Sequence, residues 1–376
     1  MKRKRESTNN SHVLRLKGCA LFRQRIVSSV LSGKAIKLDA IRPMPSGEAS
    51  ESIKVGLLGF EASFLKLIDQ LTNGSKAEIS ESGTSLSFQP GFIYGGKITH
   101  DCGTERSIGW FLEGILPLAP FSKKPIHMTL TGVTNDDTDM TVDGLKAISL
   151  PLLQRFGVAE EGGLELKVKH RGAPPLGGGT VVFTCPVVRK LEAITLTDPG
   201  LVKRVRGIAY SARVSPQIGN RVAEGSRGVL NRLLPDVWVH TDHHPKRTGG
   251  ESPGFGLSLI AESTTGVLLG AESAAKEGVL PEDLGERTSR LLLEECGSGG
   301  CVDSTHQSLV LLLMVLCPED VSSVRFGRLS QHTINSLRCL RTFFGVVFKI
   351  KPDASTSTVL LSCLGAGYQN MARGAT

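Results

Sequence analysis

The sequence predicts an α+β protein in which a large domain of recurring strand and helix segments carries an inserted smaller β/α domain. Segments with strand-like alternation and segments with helical spacing of apolar residues follow each other along most of the 376 residues. The stretch 187–297 has its own order of strands and helices, and the first pattern returns after it. The 43 glycines, roughly 11% against about 7% in an average protein, indicate many tight turns.

The first half of the chain is predicted to repeat a unit of strand, helix, strands and helix. It begins with a strand at 13–17, a helix at 22–31 that ends at Gly33, and a strand at 35–41. A second helix at 62–71 carries apolar residues at helical spacing. The later segments are a strand, hairpin and strand at 78–88, a turn-rich break at 90–96, a helix at 107–118, a strand at 126–132, a helix at 142–156, and strands at 164–170 and 180–185.

The stretch 187–297 is predicted to be the inserted domain. Its segments are strands at 191–196 and 205–214, a helix at 217–234, a strand at 237–240, a hairpin at 256–269 and a helix at 284–295. The earlier pattern resumes with a helix at 306–316, a strand at 322–327, a helix at 331–344 and strands at 346–351 and 357–363. The large domain therefore comprises 13–186 and 298–376, and residues 1–12 are expected to be a disordered basic tail.

The charge balance favours a polyanionic partner. Lys and Arg number 44 against 36 Asp and Glu, so the formal net charge is +8. Aromatic residues make up only 5%, fewer than is usual in proteins that bind single strands by base stacking. The cluster Lys2, Arg3, Lys4 and Arg5 is a candidate nuclear address or polyanion contact, with a solvated tail as the alternative.

Membrane and metal partners are not indicated. The longest apolar run, 309–317, is too short to span a bilayer, and no apolar signal region stands at the N-terminus, so we expect an intracellular protein without a membrane partner. The eight cysteines are scattered and form no Cys-x-x-Cys pair. His240, Asp242, His243 and His244 are ligand types, but adjacent histidines in a polar segment are more often exposed, so we predict no metal and no cofactor.

Two further segments contain residue types found in active sites. Asp303, Ser304 and His306 would make a Ser/His/Asp set, but proximity in sequence is not triad geometry, and a helix N-cap is the favoured role. The glycine run 177–179 could cradle a phosphate, but a turn between strands is the favoured interpretation.

A series of short motifs runs in a fixed order through residues 13–374. The motifs are GCALFRQR (18–25), TNGS (72–75), YGG (94–96), GVTND (132–136), RGAPPLGGG (171–179), LTDPG (196–200), RG (206–207), SPGFG (252–256), LPED (280–283) and VDSTHQ (302–307). No motif is decisive alone. The ordered series resembles the RNA 3′-terminal phosphate cyclase family, and most of all its eukaryotic cyclase-like branch.

The resemblance implies a fold. The large domain would consist of three repeated β-α-β-α-β-β units, similar to the C-terminal domain of translation initiation factor three. The inserted domain would be thioredoxin-like.

The resemblance also implies a chemistry, in which a histidine attacks ATP and the linked AMP activates an RNA 3′-phosphate. Such an enzyme needs a nucleophile, a cradle for nucleotide phosphates and metal-binding carboxylates. The active branch has a Gly-Glu-Gly-Gly-Gly-Gln loop, where this chain has residues 16–22 with bulky Leu21 and Phe22. A glutamine of the active branch maps to Phe60, and an Asp-Gln pair becomes 306–307, His-Gln.

These departures predict that cyclase activity is lost, since bulky residues stand where backbone N–H groups should approach phosphates. His332 falls where the active branch has its nucleophilic histidine. It is the one candidate catalytic residue if the activity is retained. The alternative role is an ordinary residue at a helix N-terminus.

A set of cations remains as candidates for binding anions or RNA, because guanidinium forks suit phosphate oxygens. The candidates are Arg23, Arg25, Arg106, Arg171, Lys203, Arg204, Arg206 and Arg213. For any one of them, a solvated charged face is the alternative.

The resemblance implies a non-cyclising scaffold of the nucleolar small-subunit processome. Such a protein would be required for early pre-rRNA cleavages and 18S rRNA maturation. Its partners would be a Bms-type ribosome-biogenesis GTPase, pre-rRNA and RNA-protein particles with small nucleolar RNA. The alternative is an active RNA enzyme, either a cyclase that uses His332 or a pre-rRNA endonuclease. The sequence shows no evident nuclease set of paired carboxylates at metal-binding spacing.

Overall fold

The computed structural model describes residues 13–44, 54–159 and 163–370. The tail 1–12, with Lys2, Arg3, Lys4 and Arg5, lies outside the described residues. The chain divides into two compact units, Met1–Phe92 and Ile93–Thr376.

The first unit contains a four-stranded sheet and two helices. Its elements are β1 (Leu14–Lys17), α1 (Phe22–Ser32), β2 (Ile36–Asp39), α2 (Gly59–Leu71), β3 (Thr72–Asn73), β4 (Lys76–Ile79) and β5 (Leu86–Gln89), and β6 (Phe92–Ile93) lies where one unit passes into the other. The sheet order is β1-β2-β5-β4, with β1 and β2 parallel. Alternate strand residues such as Leu38 and Phe88 are buried, as are Ile26 and Phe64 of the helices. The core therefore lies between the sheet and the helices.

The second unit begins with a sheet of the same order. Its elements are β7 (Gly95–Asp101), α3 (Ile108–Ile115), β8 (Lys124–Gly132), α4 (Val142–Gly144), a π-helical turn (Leu145–Ser149), α5 (Leu150–Arg155), β9 (Glu165–His170) and β10 (Gly179–Cys185). The sheet order is β7-β8-β10-β9. The sequence prediction lacks β7. That was wrong, because Ile98 and His100 are alternately buried and β7 pairs in parallel with β8.

The stretch predicted as an insertion forms its own sheet and helix pair after the short strand β11 (Thr195–Leu196). Its elements are β12 (Val202–Ala212), α6 (Pro216–Leu230), β13 (Val237–His244), β14 (Gly254–Ser263), β15 (Leu268–Ala274) and α7 (Pro281–Gly297). The sheet order is β13-β12-β14-β15. Residues of the sheet, such as Val239 and Leu257, form one buried cluster with Val222 and Leu292 of the helices. The strand β13 extends four residues past its predicted end at 240.

The chain then completes a last sheet with α8 (Gln307–Leu316), β16 (Val321–Phe326), α9 (Gln331–Phe344), β17 (Lys349–Asp353) and β18 (Thr358–Leu364). This sheet has the order β11-β16-β18-β17, and β11 and β16 are parallel.

Four sheets of four strands each therefore lie within the described ranges, and three of them share one strand order. In each of these three sheets the first two strands are parallel and the remaining pairs are antiparallel. Repeated copies of one β-α-β-α-β-β unit would have this order. The α+β class is confirmed. The boundaries at 187 and 297, and the likeness of the parts to initiation factor three and thioredoxin, remain predictions.

The helices α6 and α7 cross at unusually short range because small residues stand at the crossing. A Cβ added at Gly285 would lie 2.3 Å from the carbonyl oxygen of Val222. A Cβ added at Gly225 would lie 2.5 Å from the carbonyl oxygen of Glu282.

We expect Gly285→Ala to destabilise the protein by about 1–3 kcal/mol, because the methyl group must push the two helices apart. The measurement is the free energy of unfolding in urea. Gly228→Ala is the matched control, since this α6 glycine is exposed and nothing lies within 4 Å of an added Cβ. The control should gain up to about 1 kcal/mol of helix propensity. Equal stability of the two variants would contradict the close crossing.

Candidate functional site

The turn between β1 and α1, where the resemblance predicts the counterpart of a nucleotide loop, has a left-handed backbone at a leucine. Leu21 is the residue before α1 and has φ 56° and ψ 31°. A side chain in this region costs roughly 1–2 kcal/mol, whereas glycine adopts it freely. The amide of Phe22 donates to the carbonyl oxygen of Cys19 at 3.1 Å. One N–H at this helix N-terminus is therefore already used within the turn.

The ring of Phe22 does not obstruct the turn, contrary to the expectation from sequence. Its side chain is only 4% exposed and lies among the buried residues of the first unit. Leu21 is half-buried. This turn therefore differs from a glycine cradle in two respects. Leu21 occupies the left-handed position, and the Phe22 amide is already hydrogen-bonded within the turn.

The two candidate arginines of α1 differ in their surroundings. The guanidinium of Arg25 donates to the carbonyl oxygens of Lys17 at 3.1 Å and of Gly18 at 2.8 Å. Arg25 therefore braces the turn. Arg23, at the second position of α1, is half-buried, and its binding of an anion remains a prediction.

Arg171, predicted from sequence as an anion-binding candidate, is buried in the second unit. Its side chain is 3% exposed, and its guanidinium carbon lies 5.1 Å from the ring centre of Tyr210. It donates to both carboxylate oxygens of Asp143, to Asp242 at 2.8 and 3.1 Å, and to the Oδ1 atom of Asn135 at 3.0 Å. These bonds occupy all five N–H donors of the guanidinium.

The two carboxylates neutralise Arg171, so its charge is not presented to a ligand. Burial raises the pKa of Asp242, but hydrogen bonds from His244 and Arg171 and the Arg171 charge hold that pKa well below its usual range. The interpretation of Arg171 as an RNA contact is therefore corrected. The residue joins the second sheet's loops to the inserted sheet, because Asp242 lies on β13.

The glycine run 177–179 and Arg213 serve the same junction. The carbonyl oxygen of Gly177 accepts from the amide of Glu251 at 3.0 Å, and Arg213 donates to the carbonyl oxygen of Gly250 at 2.8 Å. A Cβ at Gly250 would lie 2.4 Å from the carbonyl oxygen of Gly177. The run is thus packed against the loop after β13, in agreement with the favoured turn interpretation.

The remaining candidate cations of the second unit have carboxylate partners. Arg106 pairs with Asp139, with its Nε atom at 2.7 Å from Oδ2, and lies over the Trp110 ring at 5.5 Å. Lys203 and Arg204 share Glu262 at 2.8 and 2.7 Å.

Arg206 pairs through both nitrogens with Asp236 at 2.8 and 2.9 Å. The side chains of Lys203, Arg204 and Arg206 are 40–44% exposed, so anion binding there remains a prediction.

A Ser/His/Asp set does form, but with a serine that the sequence did not indicate. His306 Nδ1 lies 2.7 Å from Asp303 Oδ1, and His306 Nε2 lies 3.0 Å from Ser149 Oγ. Ser304 instead donates to Glu295. Asp303, His306 and Ser149 are each at most 1% exposed, so a substrate cannot reach the serine.

This buried set is a second junction. The other carboxylate oxygen of Asp303 accepts from the amide of Gly270 on β15 at 3.1 Å, and Ser149 ends the π-helical turn. Burial lowers the pKa of His306, but the Asp303 carboxylate outweighs it and the pKa is raised. The backbone amides of Thr305 and His306 donate to Asp303 in the turn ahead of α8. The N-cap residue of α8 is His306, without a side-chain capping bond, so the predicted N-cap by Asp303 or Ser304 was wrong.

Glu272 lies beside this junction and is half-buried. It accepts from the amide of Thr141 at 2.9 Å, and a Cβ added at Gly144 would lie 1.7 Å from its Oε1 atom. Burial raises the pKa of Glu272 to about 7, against about 4.3 in an unfolded chain.

His332 lies in the first turn of α9 and is exposed. The capping residue Ser330 accepts from the amide of Thr333 at 3.1 Å, and the Thr333 hydroxyl donates to Gln307 Oε1 at 2.7 Å. The position therefore matches a helix N-terminal residue, and its chemistry remains open to the test given below.

The histidines of β13 do not converge. Strand alternation places His240, Asp242 and His244 on one face, while His243 is on the other and lies 3.0 Å from Ser211 Oγ. Within the described part of the chain, no group of three or more His, Cys, Asp or Glu residues is arranged to hold a metal ion. A helix able to cross a membrane is likewise not found among those residues.

Comparison with known proteins decides the family. The family model for RNA 3′-terminal phosphate cyclase matches residues 14–350. The chain belongs to the RNA 3′-terminal phosphate cyclase family. It is 50% identical over 374 residues to the RNA 3′-terminal phosphate cyclase-like protein of Homo sapiens, covering 96% of this chain and 98% of that protein.

Two further relatives have the same coverage of this chain. A probable RNA 3′-terminal phosphate cyclase-like protein of Dictyostelium discoideum is 50% identical over 377 residues, 99% of its length. The rRNA processing protein rcl1 of Schizosaccharomyces pombe is 43% identical over 363 residues, 97% of its length. The resemblance to the cyclase-like branch of the family is confirmed.

We expect Arg171→Ala to lower the free energy of unfolding by about 3–5 kcal/mol, because two buried carboxylates lose their counter-charge. Arg171→Lys should recover little, since an ammonium cannot make the forked contacts. Urea unfolding followed by circular dichroism measures both. The control is Arg206→Ala, which breaks an exposed pair and should leave the unfolding curve close to that of the wild type. An Arg171→Ala loss no larger than that of the control would refute the junction.

Glu272→Gln should change how stability depends on pH. A carboxyl group whose pKa is higher in the folded than in the unfolded protein stabilises the fold most at pH values below its unfolded pKa. That stabilisation is lost as the pH rises through the folded pKa. Wild-type stability should therefore fall relative to the variant between about pH 4.5 and 8, by roughly 3 kcal/mol in total. Parallel curves of unfolding free energy against pH would show that Glu272 titrates normally.

Proposed function

We propose that this chain is an rRNA-processing factor that acts as a non-cyclising scaffold. The observation that carries the proposal is the similarity, over 96% of the chain, to a protein named for rRNA processing. The turn at Leu21 supports the absence of cyclisation, because the amide of Phe22 is bonded internally and a leucine occupies the left-handed position. A nucleophile at His332 without a phosphate cradle would gain little rate.

The finer proposal places the protein in the nucleolar small-subunit processome. There it would support early pre-rRNA cleavages and 18S rRNA maturation, with a Bms-type GTPase and small nucleolar RNA particles as partners. The net charge of +8 is compatible with residence among RNA. Purification of the tagged protein from its own cells, with identification of the bound proteins and RNAs, tests this assignment. Recovery without a GTPase or pre-rRNA would refute it.

The alternative is a working RNA enzyme that uses His332, whose exposure in the first turn of α9 leaves it accessible. A group that attacks ATP must be reachable by it, and His332 meets that condition. The two functions therefore predict different effects of removing the His332 imidazole: a scaffold should keep its function, whereas the enzyme should lose it.

We expect His332→Ala to restore pre-rRNA maturation fully in cells depleted of the endogenous protein, because a scaffold needs no nucleophile. Northern blots of 18S precursors give the readout. Depletion without rescue is the control and should accumulate unprocessed precursor. A variant that melts normally but fails to restore maturation would favour the enzyme, and label from radioactive ATP that is lost in the variant would identify adenylation.

A further inference from the structure

The solvent face of the second sheet carries a group of cations that none of the roles above uses. Lys97 lies on β7, His127 on β8, and Lys167 and Lys169 on β9, with Lys123 and Lys124 at the start of β8. All six side chains are exposed. These six residues are called the lysine face below.

Strand alternation places Lys97, His127, Lys167 and Lys169 on one face. Lys123 and Lys124 stand at the end of this face, where the register between β7 and β8 shifts. Lys97 pairs with His127 in register, and Thr129 is joined through Val182 to Lys167. Their neighbours along the strands, such as Met128 and Phe183, are fully buried on the opposite side. With strands about 4.8 Å apart, the row from Lys97 to the edge strand β9 spans roughly 15 Å.

The lysine face is weakly compensated by acids. Two acids share the face, exposed Asp101 at the end of β7 and Glu165 on β9. Glu165 approaches Lys167 at 2.6 Å, but the two side chains are 49% and 63% exposed. A pair as exposed as this contributes little and exchanges readily for another partner. Threonines at 99 and 129 stand between the cations and add hydroxyl donors. In contrast, Arg106 and Arg171 hold carboxylates that are almost fully buried.

An aromatic ring lies at the end of this face. Tyr94 is 37% exposed, and its ring centre lies 4.8 Å from Lys124 Nζ and 6.0 Å from Lys123 Nζ. Lys124, through a hydrogen bond and its charge, lowers the pKa of Tyr94. The two lysines therefore create a positive potential at a ring on which a base could stack.

We propose that the lysine face binds the phosphate backbone of RNA, an assignment that rests on the proposed function for its choice of polyanion. Lysines and hydroxyls contact phosphate without reading sequence, so the surface positions RNA and does not select it. The face is one side of a four-stranded sheet, with Tyr94 beside the lysines at one end. This shape suits a flexible single strand.

The test measures binding of fluorescent oligouridine, about 20 nucleotides long to exceed known site sizes. The full-length chain is compared with the Lys97→Gln, Lys124→Gln, Lys167→Gln triple variant over a salt series, by anisotropy. Each lost phosphate contact lowers the slope of log Kd against log salt by about 0.7, so the slope should fall by roughly 2. The same relation predicts binding about 100-fold weaker at 0.1 M salt, converging with the wild type near 1 M.

The matched control removes the same charge elsewhere on the second unit. Lys349→Gln, Lys351→Gln, Arg341→Gln changes three exposed cations of β17 and α9. Both triple variants lose three positive charges, so the net charge is the same in the two. The control should nevertheless bind oligouridine within about twofold of the wild type. Both triple variants should melt like the wild type, since exposed substitutions are usually close to neutral.

Three results would overturn the proposal. The lysine-face variant could keep the wild-type slope, the control could lose as much affinity, or the face could bind polyglutamate in preference to RNA, which would assign it to an acidic protein. The binding result is independent of the cellular role. Normal rRNA maturation after depletion would refute the proposed function while a lysine-specific loss of RNA binding would still support this surface.

Discussion

The buried charge of Arg171 is the constraint on which the arrangement of the second unit depends. A guanidinium with 3% exposure can be tolerated only if each N–H finds an acceptor, and those acceptors come from different parts of the chain. Asp143 lies in α4, which follows β8 of the second sheet, and Asp242 lies on β13 of the inserted sheet. The inserted sheet must therefore sit where its carboxylate completes the set. Any other placement would leave a charge without a partner.

A second polar junction lies at the other edge strand of the inserted sheet, β15. Asp303, ahead of α8, binds both His306 and the amide of Gly270 on β15, while His306 reaches Ser149 of the π-helical turn. The π-helical turn, the segment ahead of α8 and the inserted sheet meet at these few atoms. The geometry resembles a catalytic triad, yet full burial gives it a structural function. Residue types and distances alone would have suggested the wrong chemistry.

The sequence could predict the α+β class and most helices, because amphipathic spacing is a local signal. It missed β7, whose Gly-Gly start reads as a turn although Ile98 and His100 alternate into the core. It also took Arg171 for an RNA contact. Arg171 follows a Lys-His pair and precedes a glycine run, a local pattern that is typical of an anion-binding site. The two aspartates that pair with it lie 28 and 71 positions away in the sequence. Ser149 was missed for the same reason, since its histidine is 157 positions distant. Long-range pairing of this kind leaves no mark in one sequence.

The two-residue strand β11 has a consequence for the order in which the protein assembles. Thr195 pairs with Ser323, and the two residues are 128 positions apart in the sequence, with the inserted sheet between them. In the unfolded chain, closing such a loop costs about 3 kcal/mol more entropy than closing a four-residue hairpin. Folding of the inserted sheet shortens the free chain on either side of it and lowers that cost. During synthesis, β11 leaves the ribosome long before β16 exists, so the pairing of these two strands is a late step of high contact order.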